Sequence, residues 1–176
     1  MIYMVEMNLI DRGRRMDWDN WYINHTKMLL SFEGFHATQR FECIHEAKAP
    51  FVALHHVDGA DFFDSSDYKD NAGPAGTGEW RSKMNNWSRN LFEGLESTPN
   101  VGDSEYLVLL EDNVDLDKFD SFRLVWLRSV GLDQDIFRRG IGCTQSHDLA
   151  LELAKTDGIR VLRPLNKRIT KVDLLM

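Results

Sequence analysis

Between Ile2 and Phe32 the hydrophobic residues change period, and this change restricts the folds open to the chain. From Ile2 to Leu9, Tyr3, Val5, Met7 and Leu9 alternate with Glu6 and Asn8, the two-residue period of a half-covered strand. "DRGRR" makes a turn. Beyond it Trp18, Trp21, Tyr22, His25, Met28, Leu29 and Phe32 recur at three and four residues, which gathers them on one helical face. Asp17 is the expected N-cap and Gly34 the expected stop.

Two strands, "FHATQRFECI" and "PFVALHHV", follow as an antiparallel hairpin. The first presents Phe35, Ala37, Gln39, Phe41 and Cys43 on one face and His36, Thr38, Arg40, Glu42 and Ile44 on the other. An irregular stretch from Asp58 to Gly78 leads to a helix expected from Glu79 onward, with Trp80, Met84, Trp87 and Leu91 on one stripe, and "EYLVLLE" reads as the fourth strand. The order βαββαβ predicts an α+β chain of ferredoxin-like plan, one antiparallel sheet with two helices on one face, spanning residues 1–112. Residues 113–176 are expected to form a partial second β-α-β unit packing on the first. Its elements are strands at Phe122 to Ser129, Ile159 to Leu162 and Ile169 to Leu175, with a helix from Ser146 to Lys155 stopped by Gly158. A sheet covered on one side leaves an apolar face to be hidden, and a homodimer is the simplest way to hide it, with the C-terminal part as the alternative.

Composition narrows the function. The net charge of −7 argues against a nucleic-acid surface, which depends on excess Lys and Arg. No apolar run reaches the ~20 residues that span a bilayer, so no membrane partner is expected and a cytoplasmic location is. Cys43 and Cys143 are too few and too far apart for a disulfide framework or a zinc cluster. The strand histidines His36, His45, His55 and His56 form no His-x-His pair, and there is no Glu-x-x-His on a helix, so no metal site is predicted. The Gly-rich "NAGPAGTGEWRS" lacks the Lys-Ser/Thr ending of a phosphate loop and reads as a lid or a plain connection.

His25 sits among aromatic residues on the apolar stripe, and two readings stand: a buried neutral histidine of the core, or a general base, which must also be neutral. Adjacent strand residues point to opposite faces, so only one of His55 and His56 can share a cavity with it.

The segment "WYINHTKMLLSFEGFHATQRFE" resembles the aromatic, Tyr, His, then Pro/Ser-Gly-Phe and Arg-Tyr/Phe pattern of the dimeric α+β barrel superfamily, particularly its EthD-like branch. "FDSSDYKDNAGPAGTGEWRSKMNNWSRNLFE" is similar to the Ser-x-Tyr and Trp-rich helix that follows in such proteins. The likeness covers Met1 to Asp112 and departs from the pattern at Glu33, where those proteins often have Pro, and in the four strand histidines. It implies a ferredoxin-like module whose sheet closes a barrel with a second copy or an internal one. It also implies a superfamily of cofactor-independent isomerases, cyclases, lyases, decarboxylases and monooxygenases, with haem-dependent branches, in which His25 matches the motif histidine.

The expected function is a cofactor-independent isomerase, lyase or cyclase for a small hydrophobic aromatic or carbonyl compound. His25 would be general acid or base, and Tyr22 or Tyr3 would orient the substrate oxygen with a strand histidine, assigned as His55. His36 and Arg40 are candidate substrate-binding residues, and Trp18, Trp21, Phe41, Trp80 and Trp87 are candidate walls. The alternative is a non-catalytic binding or accessory protein for a hydrophobic metabolite, using the same cavity.

Overall fold

The computed structural model describes residues 1–73, 75–112, 114 and 123–174. Its strands are β1 (Ile2–Leu9), β2 (Phe35–Cys43), β3 (Phe51–Val57), β4 (Met84–Glu93), β5 (Tyr106–Leu110), β6 (Leu124–Leu132), β7 (Arg138–Thr144), β8 (Ile159–Pro164) and the short β9 (Ile169–Thr170). Among the described residues three α-helices accompany them: α1 (Arg15–Ser31), α2 (Ser66–Asn71) and α3 (His147–Leu153). The strands are neighbours in the order β3-β1-β4-β6-β7-β5-β8-β2, and β2 also pairs with β3, so eight strands close into a ring with β9 added against β2. Every strand pairing among the described residues is antiparallel. The run β2-β3-β1-β4 recurs as β6-β7-β5-β8, each label raised by four, so one strand order is used twice around the ring.

This corrects the expected fold class. The chain forms a closed eight-stranded antiparallel barrel with few helices, not an open ferredoxin-like α+β sheet. The helix expected from Glu79 is a stretch of 3-10 turn, Ala75–Lys83, running into strand β4. Its apparent helical stripe arises from a β-bulge. Where β4 pairs with β1 the register shifts between Glu6 and Asn8, with Asn86 at φ 49°, and the extra residue brings Met84 and Leu91 to the same side of the strand. "RRGIGCT", which reads as loop, is β7. α1 begins two residues before Asp17, which lies in its first turn and pairs with Arg14 at 3.1 Å. Phe122 and Leu175, ends of two expected strands, lie outside the described residues.

One apolar cluster draws residues from all eight ring strands, among them Ile2, Phe41, Leu54, Phe92, Leu107, Leu127, Ile141 and Leu162, and therefore fills the lumen. A second lies outside the wall, where Tyr3, Val5, Met7 and Leu9 of β1 meet Trp18, Tyr22, Leu29 and Leu30 of α1 and Phe63, Tyr68 and Trp80 of the connection before β4. A third packs α3 on β5 and β8. The apolar sheet face that called for a partner is thus the lumen, enclosed by the chain's own strands.

Candidate active site

α1 is held on the outer wall by polar contacts as well as apolar ones. Trp18 donates its indole N–H to Met84 Sδ at 3.3 Å, and Arg40 of β2 donates to Asp19 at 2.7 Å with its guanidinium 4.1 Å from the centre of the Tyr22 ring. The residues of α1 that face the wall are Trp18, Tyr22, Thr26, Leu29 and Leu30. His25 lies on the flank of this stripe, half-buried, stacked on Trp21 at 5.1 Å.

Between α1, the wall and the 61–83 connection is a small cavity. α1 contributes Trp21, Tyr22, His25 and Leu29; the wall contributes Tyr3, Val5, His55 and Trp87; the connection contributes Tyr68 and Gly73. Its volume of about 20 Å³ is room for about one water. Ser65 caps α2 by accepting from the Tyr68 N–H, which fixes the helical turn carrying Tyr68. Gly73 sits at φ +57°, and a Cβ there would come within 3.1 Å of the Tyr68 ring, so glycine allows this close approach.

Burial sets the protonation states. It lowers the pKa of His25 to about 4 and is the largest cause of the fall of His55 to about 3, to which the positive charges of His25 and Arg40 add. Both imidazoles are neutral near pH 7. His55 Nδ1 lies 2.8 Å from Thr38 Oγ1, which leaves Nε2 for the cavity, whereas His25 hydrogen-bonds to none of the described residues. Tyr3 and Tyr68 stand with their hydroxyls 3.2 Å apart, and burial raises the pKa of each, opposed in both cases by Arg89. Burial also pushes the Tyr22 hydroxyl up to about 12. The Trp87 indole N–H is buried with no acceptor among the described residues. The arrangement combines two neutral imidazoles with protonated phenols around a small, largely enclosed space.

Of the residues singled out from the sequence, His25, His55, Tyr22, Tyr3, Trp21 and Trp87 come together here. Trp18, on the wall-facing side of α1, packs on the Arg40 guanidinium at 4.8 Å, and Trp80 packs behind Trp21 at 6.0 Å. Phe41 is in the lumen. His36 is half-buried away from this cavity, 2.6 Å from the Asp58 carboxylate and with its ring tilted against that of His56, 5.0 Å between centres. Val5, Leu29 and Gly73 were not singled out as lining residues. Val5 and Leu29 share the strand and helix periods of Tyr3 and Tyr22, a signal that was available, but Gly73 lies in an irregular segment without one. Tyr68 is the tyrosine of the Ser-x-Tyr pattern, Ser66-Asp67-Tyr68, which marked it without assigning it to the cavity.

No family model and no curated protein match the chain. Solved structures do. An anthrone oxidase-like protein is similar over 97% of this chain and 92% of its own, with a TM-score of 0.59 at 8% identity. A candidate monooxygenase from Lactobacillus acidophilus NCFM is similar over 96% and 98%, with a TM-score of 0.51 at 12% identity. Another from Fusobacterium nucleatum is similar over 96% of each chain, with a TM-score of 0.51 at 7% identity. At such identities the likeness is one of fold.

Proposed function

We propose that the chain is a small-molecule enzyme that moves a proton on a hydrophobic aromatic or carbonyl compound, and that its sequence motif is that of the EthD-like branch. The observation that carries this reading is the pair of neutral imidazoles, His25 and His55, on one apolar cavity beside the hydroxyls of Tyr3, Tyr22 and Tyr68. His25, which hydrogen-bonds to none of the described residues, is the general acid or base. The phenols donate to the substrate oxygen, on which negative charge develops as the proton leaves. This chemistry requires no cofactor. An aromatic ring needs several times the present space, so binding moves the connection that carries Tyr68 and Gly73 outward.

The names of the fold neighbours fit the same first step, because a carbanion or phenolate made by proton removal is also the starting point of an oxygenation. Dioxygen uptake measured alongside substrate loss separates an oxygenase from an isomerase or lyase. In assays on aromatic ketones and phenols, His25→Gln is expected to lower turnover by at least about 10²-fold with the fold intact. Normal turnover by the folded variant rules the proposal out, and retention of a ligand without turnover by the native protein assigns the cavity to binding alone.

A further inference from the structure

A much larger cavity, of about 780 Å³, opens at one end of the barrel, within the roughly 300–1,000 Å³ usual for small-molecule pockets. Strand ends build it, with Glu6 from β1, Ser88 from β4, Arg139 from β7 and Arg160 from β8. Its floor is ionic. Arg139 donates to the Glu6 carboxylate at 3.1 Å and Arg160 donates to the same carboxylate, so two guanidiniums converge on one acid. The side chains of Arg139 and Glu6 are only 4% and 7% exposed. Arg139 Nε has no hydrogen-bond partner among the described residues.

Most of the remaining lumen is apolar, with Gln39 and Asn90 buried alongside and hydrogen-bonded, and a buried ion cluster is often no more stabilising than apolar residues of the same volume. At the rim the exposed Lys48 and Lys155 form no ion pair among the described residues, while Glu46, Glu111, Asp135 and Asp157 present carboxylates to the same space, Asp135 with Oδ1 already accepting from Ser88 and Asn90.

We propose that this barrel mouth is a second ligand site, for a small carboxylate that also carries hydroxyl or ammonium donors. The ligand acid lies against Arg139 with Lys48 and Lys155 closing over it, and its donors face Asp135 and Asp157. Trp87 lines both this cavity and the histidine cavity, so its emission reports on either.

The test is a fluorescence titration, repeated by calorimetry, with sodium gluconate, sodium L-glutamate and sodium acetate at constant ionic strength. Saturable binding of gluconate or glutamate is expected, with acetate at least about tenfold weaker because it lacks the donors. The tighter of the first two tells whether the donors are hydroxyl or ammonium. Arg139→Gln is expected to abolish binding. Should that buried substitution prevent folding, the double variant Lys48→Gln/Lys155→Gln, confined to exposed side chains, still decides the matter through a loss of about tenfold. Absence of saturation with all three salts at tens of millimolar overturns the proposal, as does unchanged affinity in the lysine variant. His25→Gln must leave the affinity unaltered; a loss of binding there moves the signal to the histidine cavity and overturns it equally.

Discussion

His55 shows most clearly what burial does to a single residue here. It is 1% exposed, and its pKa of about 3 arises first from lost hydration and then from repulsion by His25 and Arg40. In the unfolded chain a histidine titrates near ~6.5, so between that pH and about 3 the unfolded state holds a proton that the folded state lacks. Stability is therefore level above about pH 6.5 and is lost as the pH falls through this window. At pH 4.5 the His55 contribution to this loss is expected to be about 2–3 kcal/mol relative to pH 7. His55→Gln offers Thr38 a carbonyl acceptor but does not titrate. Denaturant unfolding of both proteins at the two pH values should show the variant losing less by that amount, and equal losses would mean that His55 is not held neutral. His25 differs in kind: the period of α1 predicts that it faces the sheet, but it lies at the edge of that stripe, where it meets the connection and the cavity. Helical spacing gives a residue its angle on the helix, not what will cover it.

Elements were legible where their period ran unbroken and were misread where one residue interrupted it. β1, α1 and the β2–β3 hairpin follow from alternation and helical spacing, but the bulge in β4 turns a seven-residue separation, two helical turns on paper, into one side of a strand. A second bulge, between Phe35 and Ala37, does the same to β2. Phe35 packs on His55 and Phe62 outside the wall while Phe41 is in the lumen, although simple alternation assigns them one face. Residues 61–78 offer no period, so that Tyr68 is marked only by the Ser-x-Tyr pattern and Gly73 by nothing. Their fit is testable. Gly73→Ala combines a positive φ with a Cβ 3.1 Å from the Tyr68 ring, and should cost about 1–2 kcal/mol and displace that ring from the cavity. Gly59→Ala, with nothing within 4 Å of the added atom, is the control expected to leave stability unaltered. Equal melting temperatures for the two variants would show that the Tyr68 turn is not held against the wall as described.

At the scale of the whole molecule the decisive contacts join residues far apart in the chain, and no local pattern announces them. The ring is completed by two seams, Asn90↔Leu132 to Glu93↔Arg128 between β4 and β6, and Phe41↔Pro164 to Cys43↔Leu162 between β2 and β8. Without them each run of four strands would expose two edges and one side of the shared lumen core. The face is covered by the C-terminal part, the alternative to a homodimer; of its strands β6 was expected, but β7 was not, because its glycines and arginines mask alternation. A lumen filled from all eight strands cannot lose one half and keep the other intact, so unfolding should be a single event. Four of the five tryptophans, Trp18, Trp21, Trp80 and Trp87, belong to the first half, so emission follows that half while far-ultraviolet dichroism follows every strand and helix. In urea the two signals are expected to trace one curve with a common midpoint. A dichroism change that persists after the emission change is complete would mean that the second half stands without the first, and that the seams contribute less than ring closure demands.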